Sequence, residues 1–85
     1  MYKQYDGRLC GQEAYLAGVT LVYRKWKSVN PQNDHDHCEF CWEKFADYEG
    51  CLHEGYSTED CYRWICADCY QDFKRRFGWR VKQNV

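Results

Sequence analysis

Two C-x-x-C pairs, Cys38-Glu-Phe-Cys41 and Cys66-Ala-Asp-Cys69, stand 24 residues apart in a chain of 85. Two intervening residues let a single turn present both sulfurs to one ion, and two such turns supply the four donors of a closed tetrahedral site. Thiolate is a soft donor that favours zinc among the common biological cations, and no redox signal in the chain argues for iron. The spacing therefore predicts one structural Zn²⁺ held by Cys38, Cys41, Cys66 and Cys69. A chain this short buries only about 60–65 % of the surface its unfolded form exposes, so it often needs a metal, a disulfide or a partner subunit.

Composition supports a thin core wrapped around such a centre. Aromatic residues make up 19 % of the chain, with four Trp and eight Tyr, while Met occurs once. Aromatic side chains bury large areas from few positions. Seven cysteines cannot all pair in a closed disulfide framework, and the C-x-x-C spacing belongs to chelation, which predicts a reducing cytoplasm. The opening residues carry no apolar run of the signal-peptide kind, and no stretch approaches a membrane span, so no membrane partner is expected.

Apolar spacing orders the chain as one domain, an N-terminal strand segment over 1–33 followed by a metal module over 34–85. Residues 1–12 read as a loose lead-in, and residues 13–17 as one helical turn stopped by Gly18. Residues 19–27 alternate as a strand, with Val19, Leu21 and Tyr23 on one face and Val22 and Trp26 on the other. Turn residues with Pro31 follow over 28–33. Residues 43–50 fit a strand end or a short helical turn, residues 55–60 a connecting loop, and residues 62–65 a strand leading into the second cysteine pair. Ala67–Phe77 is the clearest helix. Cys69, Tyr70, Phe73 and Phe77 form its apolar stripe, Asp68 and Asp72 lie early, Lys74, Arg75 and Arg76 lie late, and Gly78 closes it. Trp79 is placed to fold back on Phe73, and residues 79–81 read as a short terminal strand. The fold class expected is α+β: a small antiparallel sheet with one C-terminal helix, stabilised by zinc.

A C-x-x-C turn, a hairpin-length stretch and a helix with C-x-x-C on its first turn resemble the treble-clef zinc finger. Cys38-Glu-Phe-Cys41 with Phe45 behind it resembles the knuckle of that family, and Ile65-Cys66-Ala-Asp-Cys69 its helical half. The resemblance covers roughly residues 34–77. It implies the metal site and leaves function open, since treble clefs serve as nucleic-acid readers, protein adaptors and nucleases. The first half also resembles a C₂H₂ finger, but the helix carries no histidine.

Three further cysteines, Cys10, Cys51 and Cys61, lie outside the pairs. They read as small buried apolar residues, with Cys51, His53 and Cys61 as the alternative of a partial second metal site. His37 beside Cys38 is not needed as a ligand. The run Asp34-His35-Asp36-His37 is similar to one in treble-clef nucleases of the His-Me type, where a histidine activates water beside a metal. Here the run precedes the first cysteine pair instead of lying between the pairs, and the helix offers no metal-holding partner. A hydrated, metal-attracting loop is the reading adopted, with no catalytic residue assigned.

Net charge is −1, but residues 34–60 hold nine acids against one base, Lys44. Lys74, Arg75, Arg76, Arg80 and Lys82, with Arg24, Lys25 and Lys27, are the candidates for nucleic-acid phosphates. The low overall basicity disfavours that use. The aromatic excess favours a protein partner or self-association, because Trp, Tyr and Arg serve as interface anchors.

Overall fold

A computed structural model describes residues 8–28 and 34–82. The turn expected over 28–33 falls, from residue 29 on, outside them, as does residues 1–7 of the lead-in. The elements run α1 (Glu13–Leu16), β1 (Thr20–Lys25), β2 (His35–His37), β3 (Lys44–Ala46), β4 (Glu54–Thr58), β5 (Trp64–Ile65), α2 (Ala67–Phe77) and β6 (Arg80–Lys82). Among the described residues, four strands form one sheet in the order β5-β4-β1-β6, and β2 and β3 form a separate hairpin.

β1 is the centre of the larger sheet. Its β-branched and aromatic residues pair antiparallel with β4, Leu21 opposite Thr58 and Tyr23 opposite Tyr56. On its other side it pairs parallel with β6, Leu21 opposite Val81. The sheet is therefore mixed, not antiparallel as expected. The physical reason lies at one end of the molecule. Gly18 N–H donates to Phe77 O at 2.7 Å, so β1 and the tail of α2 start from the same place. Gly78 then turns in the left-handed region at φ 66°, which glycine adopts without strain. The chain leaves that turn in the direction β1 already runs.

The loop expected over residues 55–60 is the second correction. Glu54–Thr58 is a full strand, and only the residues after it turn. Gly55 reads as a turn signal in the sequence, yet it sits in the sheet because Phe45 lies on it. A Cβ there would meet Phe45 Cε1 at 2.7 Å. Neighbouring residues of a strand face opposite ways. Tyr56 stacks on Tyr70 of α2, with ring centroids 3.9 Å apart. The helix thus covers one face of the sheet and the β2–β3 hairpin the other.

The core runs through both interfaces. Trp64, Phe45, Leu16, Leu21 and Ile65 are completely buried. Cys69, Phe73 and Phe77 are the buried stripe of α2; burying each phenylalanine contributes about 1.5–3 kcal/mol. Trp79 folds back on the helix, but it stacks on Phe77 at 5.0 Å and Tyr70 at 5.7 Å and not on the expected Phe73. Its indole N–H donates to Leu16 O at 2.9 Å, which ties α1 to the C-terminal turn.

Candidate metal centre

Cys38 and Cys41 lie in the turn of the β2–β3 hairpin. Cys38 N–H donates to Glu43 O at 2.8 Å and Trp42 N–H to Cys38 O at 3.1 Å, which closes the turn. Glu39 N–H donates to Trp64 O at 2.9 Å, which docks the turn on β5. Trp42 follows Cys41 at φ 69°, a left-handed conformation that costs a non-glycine residue about 1–3 kcal/mol. Trp42 is 71 % exposed.

Cys66 and Cys69 come from the start of α2. Cys66 is the N-cap, and its sulfur accepts from Cys69 N–H at 3.4 Å. Cys38 Sγ accepts from Phe40 N–H and from Cys66 N–H, both at 3.4 Å. Backbone amides thus surround the sulfurs, and each such bond favours thiolate over thiol.

The four sulfurs lie within 4.8 Å of one another, with Cys41 Sγ and Cys66 Sγ 3.6 Å apart. An ion bonded to sulfur at about 2.3 Å in a tetrahedron sets its ligands roughly 3.8 Å apart. The donor set fits a metal of that kind, and among the described residues it is the one group of three or more donors brought to ligating distance. Cys38, Cys66 and Cys69 are buried and Cys41 is at the surface.

Burial and hydrogen bonding pull these thiols in opposite directions. Burial pushes the Cys66 thiol up to about 11. Burial and the charge of Cys38 push Cys69 up as well. For Cys41 burial also opposes ionisation, but the Glu43 amide and the neighbouring cysteines outweigh it and lower the pKa. Position at a helix N-terminus favours thiolate, but at Cys66 and Cys69 burial wins. A divalent cation held by the four sulfurs would reverse that balance.

Arg8 is a participant that local sequence patterns do not announce. Its Nη1 lies 3.6 Å from Cys69 Sγ and 2.9 Å from Asp72 Oδ2, and its guanidinium covers the Phe73 ring at 4.6 Å. It brings positive charge to the thiolate side of the centre from 61 residues away. Gln12 anchors the same segment: buried, it donates to Arg8 O and Glu39 O, both at 2.9 Å. Residues 8–12 are therefore pinned to the metal turn and are not a loose lead-in.

The other cysteines and histidines lie elsewhere. Cys61, at φ 62°, receives Arg24 Nη1 at 2.8 Å. His53 Nε2 faces Tyr48 O at 2.9 Å. Neither joins Cys51 in a cluster of three donors among the described residues. His35 and His37 sit side by side on β2. Among the described residues, no helix is long and apolar enough to cross a membrane. Compared with known proteins, the chain matches no family model, no curated protein and no solved structure.

Proposed function

We propose that the chain is a structural-zinc domain of treble-clef type that works, without catalysis, as a protein-interaction or self-association module. The observation that carries the metal half is the four-sulfur cluster joining a hairpin turn to a helix N-terminus. Zinc is the ion that four thiolates at this spacing favour. The order of a knuckle inside the β2–β3 hairpin, the β4–β5 hairpin and then α2 supports the treble-clef reading.

The interaction half rests on exposed aromatics. Trp42 is 71 % exposed and Tyr62 66 %, with Tyr15 beyond them on the same groove. Arg63 lies between the two tyrosines, 4.0 Å from the Tyr15 ring and 5.0 Å from the Tyr62 ring. A strained, solvent-facing Trp beside Tyr and Arg has the composition of an interface anchor.

The nucleic-acid alternative loses part of its charge to internal pairing. Arg76 meets Glu13 and Lys82 meets Glu59, both at 3.1 Å. Arg24 is turned onto Cys61. The test is sedimentation equilibrium over a range of concentration and salt, with Trp42→Ala/Tyr62→Ala beside the wild type. Association that is flat in salt and lost in that variant is expected. A monomeric wild type that instead binds single-stranded nucleic acid with a steep salt slope, abolished by Arg75→Glu/Arg76→Glu, would favour the alternative.

A further inference from the structure

β2 carries a second set of metal-binding groups that the thiolate centre does not use. His35 and His37 are alternate residues of one strand, so both imidazoles leave the same face. Their rings meet edge to face with centroids 4.9 Å apart. Two imidazoles bound to one ion through nitrogen at about 2.0–2.1 Å place their ring centroids roughly 5 Å apart at a tetrahedral angle.

His35 is also oriented. Its Nδ1 donates to Asp34 Oδ1 at 2.7 Å, and Asp34 Oδ2 accepts from the Tyr48 hydroxyl at 2.6 Å. A carboxylate on the far nitrogen settles the tautomer of a ligating imidazole and leaves Nε2 with its lone pair. The Tyr48 and His35 hydrogen bonds hold the Asp34 carboxyl below its ordinary range, so the relay is built on an ionised acid. The strand itself is braced from its other face, where Asp36 Oδ2 accepts from Trp26 Nε1 at 2.8 Å. Trp42 rests 5.2 Å from the His37 ring.

Both histidines line an open groove of about 510 Å³, so an ion can reach them. The surrounding segment, with nine acids against one base over residues 34–60, favours a cation over a phosphate. Imidazole nitrogen suits Zn²⁺, Ni²⁺ and Cu²⁺; magnesium and calcium seek oxygen.

We propose that His35 and His37 form a second, surface metal site for a transition-metal dication, oriented by the Asp34–Tyr48 relay and open to water or a ligand from another molecule. It does not depend on the thiolate centre.

The test uses untagged holoprotein, titrated with NiCl₂ by calorimetry while its resident metal is assayed in the same sample. One Ni²⁺ per chain is expected, with the resident metal kept. Uptake should vanish in His35→Ala and in His37→Ala, and Asp34→Asn should weaken it by about 10–100-fold without abolishing it. An unspecific acidic surface would respond to Asp34→Asn and ignore the histidines. Because His37 adjoins Cys38, the wild type is also followed by long-range ¹H–¹⁵N spectra with added Zn²⁺. Both histidines should shift at one ring nitrogen, with the Nδ1 proton of His35 retained. Unchanged histidine spectra, no nickel uptake by the wild type, or wild-type uptake by folded His35→Ala would overturn the proposal. Nickel uptake matched by loss of the resident metal would place the nickel at the thiolates and also overturn the proposal.

Discussion

Gly55→Ala isolates the contact that makes residues 54–58 a strand. A Cβ built there lies 2.7 Å from Phe45 Cε1, 3.0 Å from Phe45 Cζ and 3.0 Å from Ile65 O. Carbon pairs are most stable at about 3.5–4.0 Å, so two of these contacts are repulsive by a wide margin. Neither neighbour yields easily. Phe45 is fully buried with its ring 5.3 Å from Trp64, and the Ile65 carbonyl is backbone in β5. The Gly55 backbone does not have positive φ, so alanine gains roughly 0.4–1 kcal/mol from a stiffer unfolded chain. Overpacking costs about 1–3 kcal/mol. The net expectation is a loss of about 1–2 kcal/mol, or roughly 5–15 °C in Tm for a domain of this size. Urea melts at fixed free Zn²⁺ measure it, since bound metal otherwise shifts the midpoint by mass action. In a Phe45→Leu background the ring edge is gone, and the same substitution should cost less, with a coupling of about 0.5–3 kcal/mol. A Gly55→Ala protein as stable as the wild type would refute the close-approach argument. An equal penalty in both backgrounds would move the clash from Phe45 to the Ile65 carbonyl.

Elemental analysis should find one zinc at the thiolates per chain, and strong chelation or Cys66→Ser should unfold the protein, as seen by far-ultraviolet dichroism; a fully folded metal-free protein would contradict this. A Cys10→Ser/Cys51→Ser/Cys61→Ser variant should keep that zinc, with stability lowered by lost packing at buried Cys61. Trp42→Gly removes left-handed strain and should leave the monomer as stable or up to about 1 kcal/mol more stable, while self-association falls; unchanged association would remove Trp42 from the interface. Tyr48→Phe deletes the hydrogen bond that holds Asp34 below its ordinary 3.8, so the Asp34 midpoint in a carboxyl NMR titration should rise. The sign follows from linkage: a lowered acid pKa adds stability above the unfolded value, and that contribution fades as pH falls through the folded value. Arg8→Met should weaken metal binding by about tenfold, read by competition with a chromophoric chelator, while leaving the four ligands in place.

The metal centre and the helix were legible because both are local. Two residues between cysteines is a property of one turn, and the 3–4 spacing of Cys69, Phe73 and Phe77 is a property of one helix, so the linear sequence carries them without reference to the rest of the chain. Gly78 and the charge order of α2 mark its end for the same reason. The segment at 54–58 was hidden because Gly and Ser carry turn chemistry, and nothing local reveals that Gly55 makes room for Phe45 or that Ser57 is buried. The direction of β6 was hidden as well. Whether a terminal strand runs with or against β1 depends on where α2 ends relative to Gly18, a distance that only packing sets. Arg8 and the Asp34–His35–Tyr48 relay belong to the same class. Each joins groups whose partners lie far along the chain or across a hairpin, 61 residues away for Arg8 and 14 for Tyr48. The sequence by itself determined which four thiols are placed to coordinate a metal and which face of one helix is buried, because covalent spacing holds those groups together. Only the tertiary structure decided how the sheet is ordered, how high the buried thiols are pushed, and which side chains stand behind the ligands, because long-range contacts and burial have no linear signature.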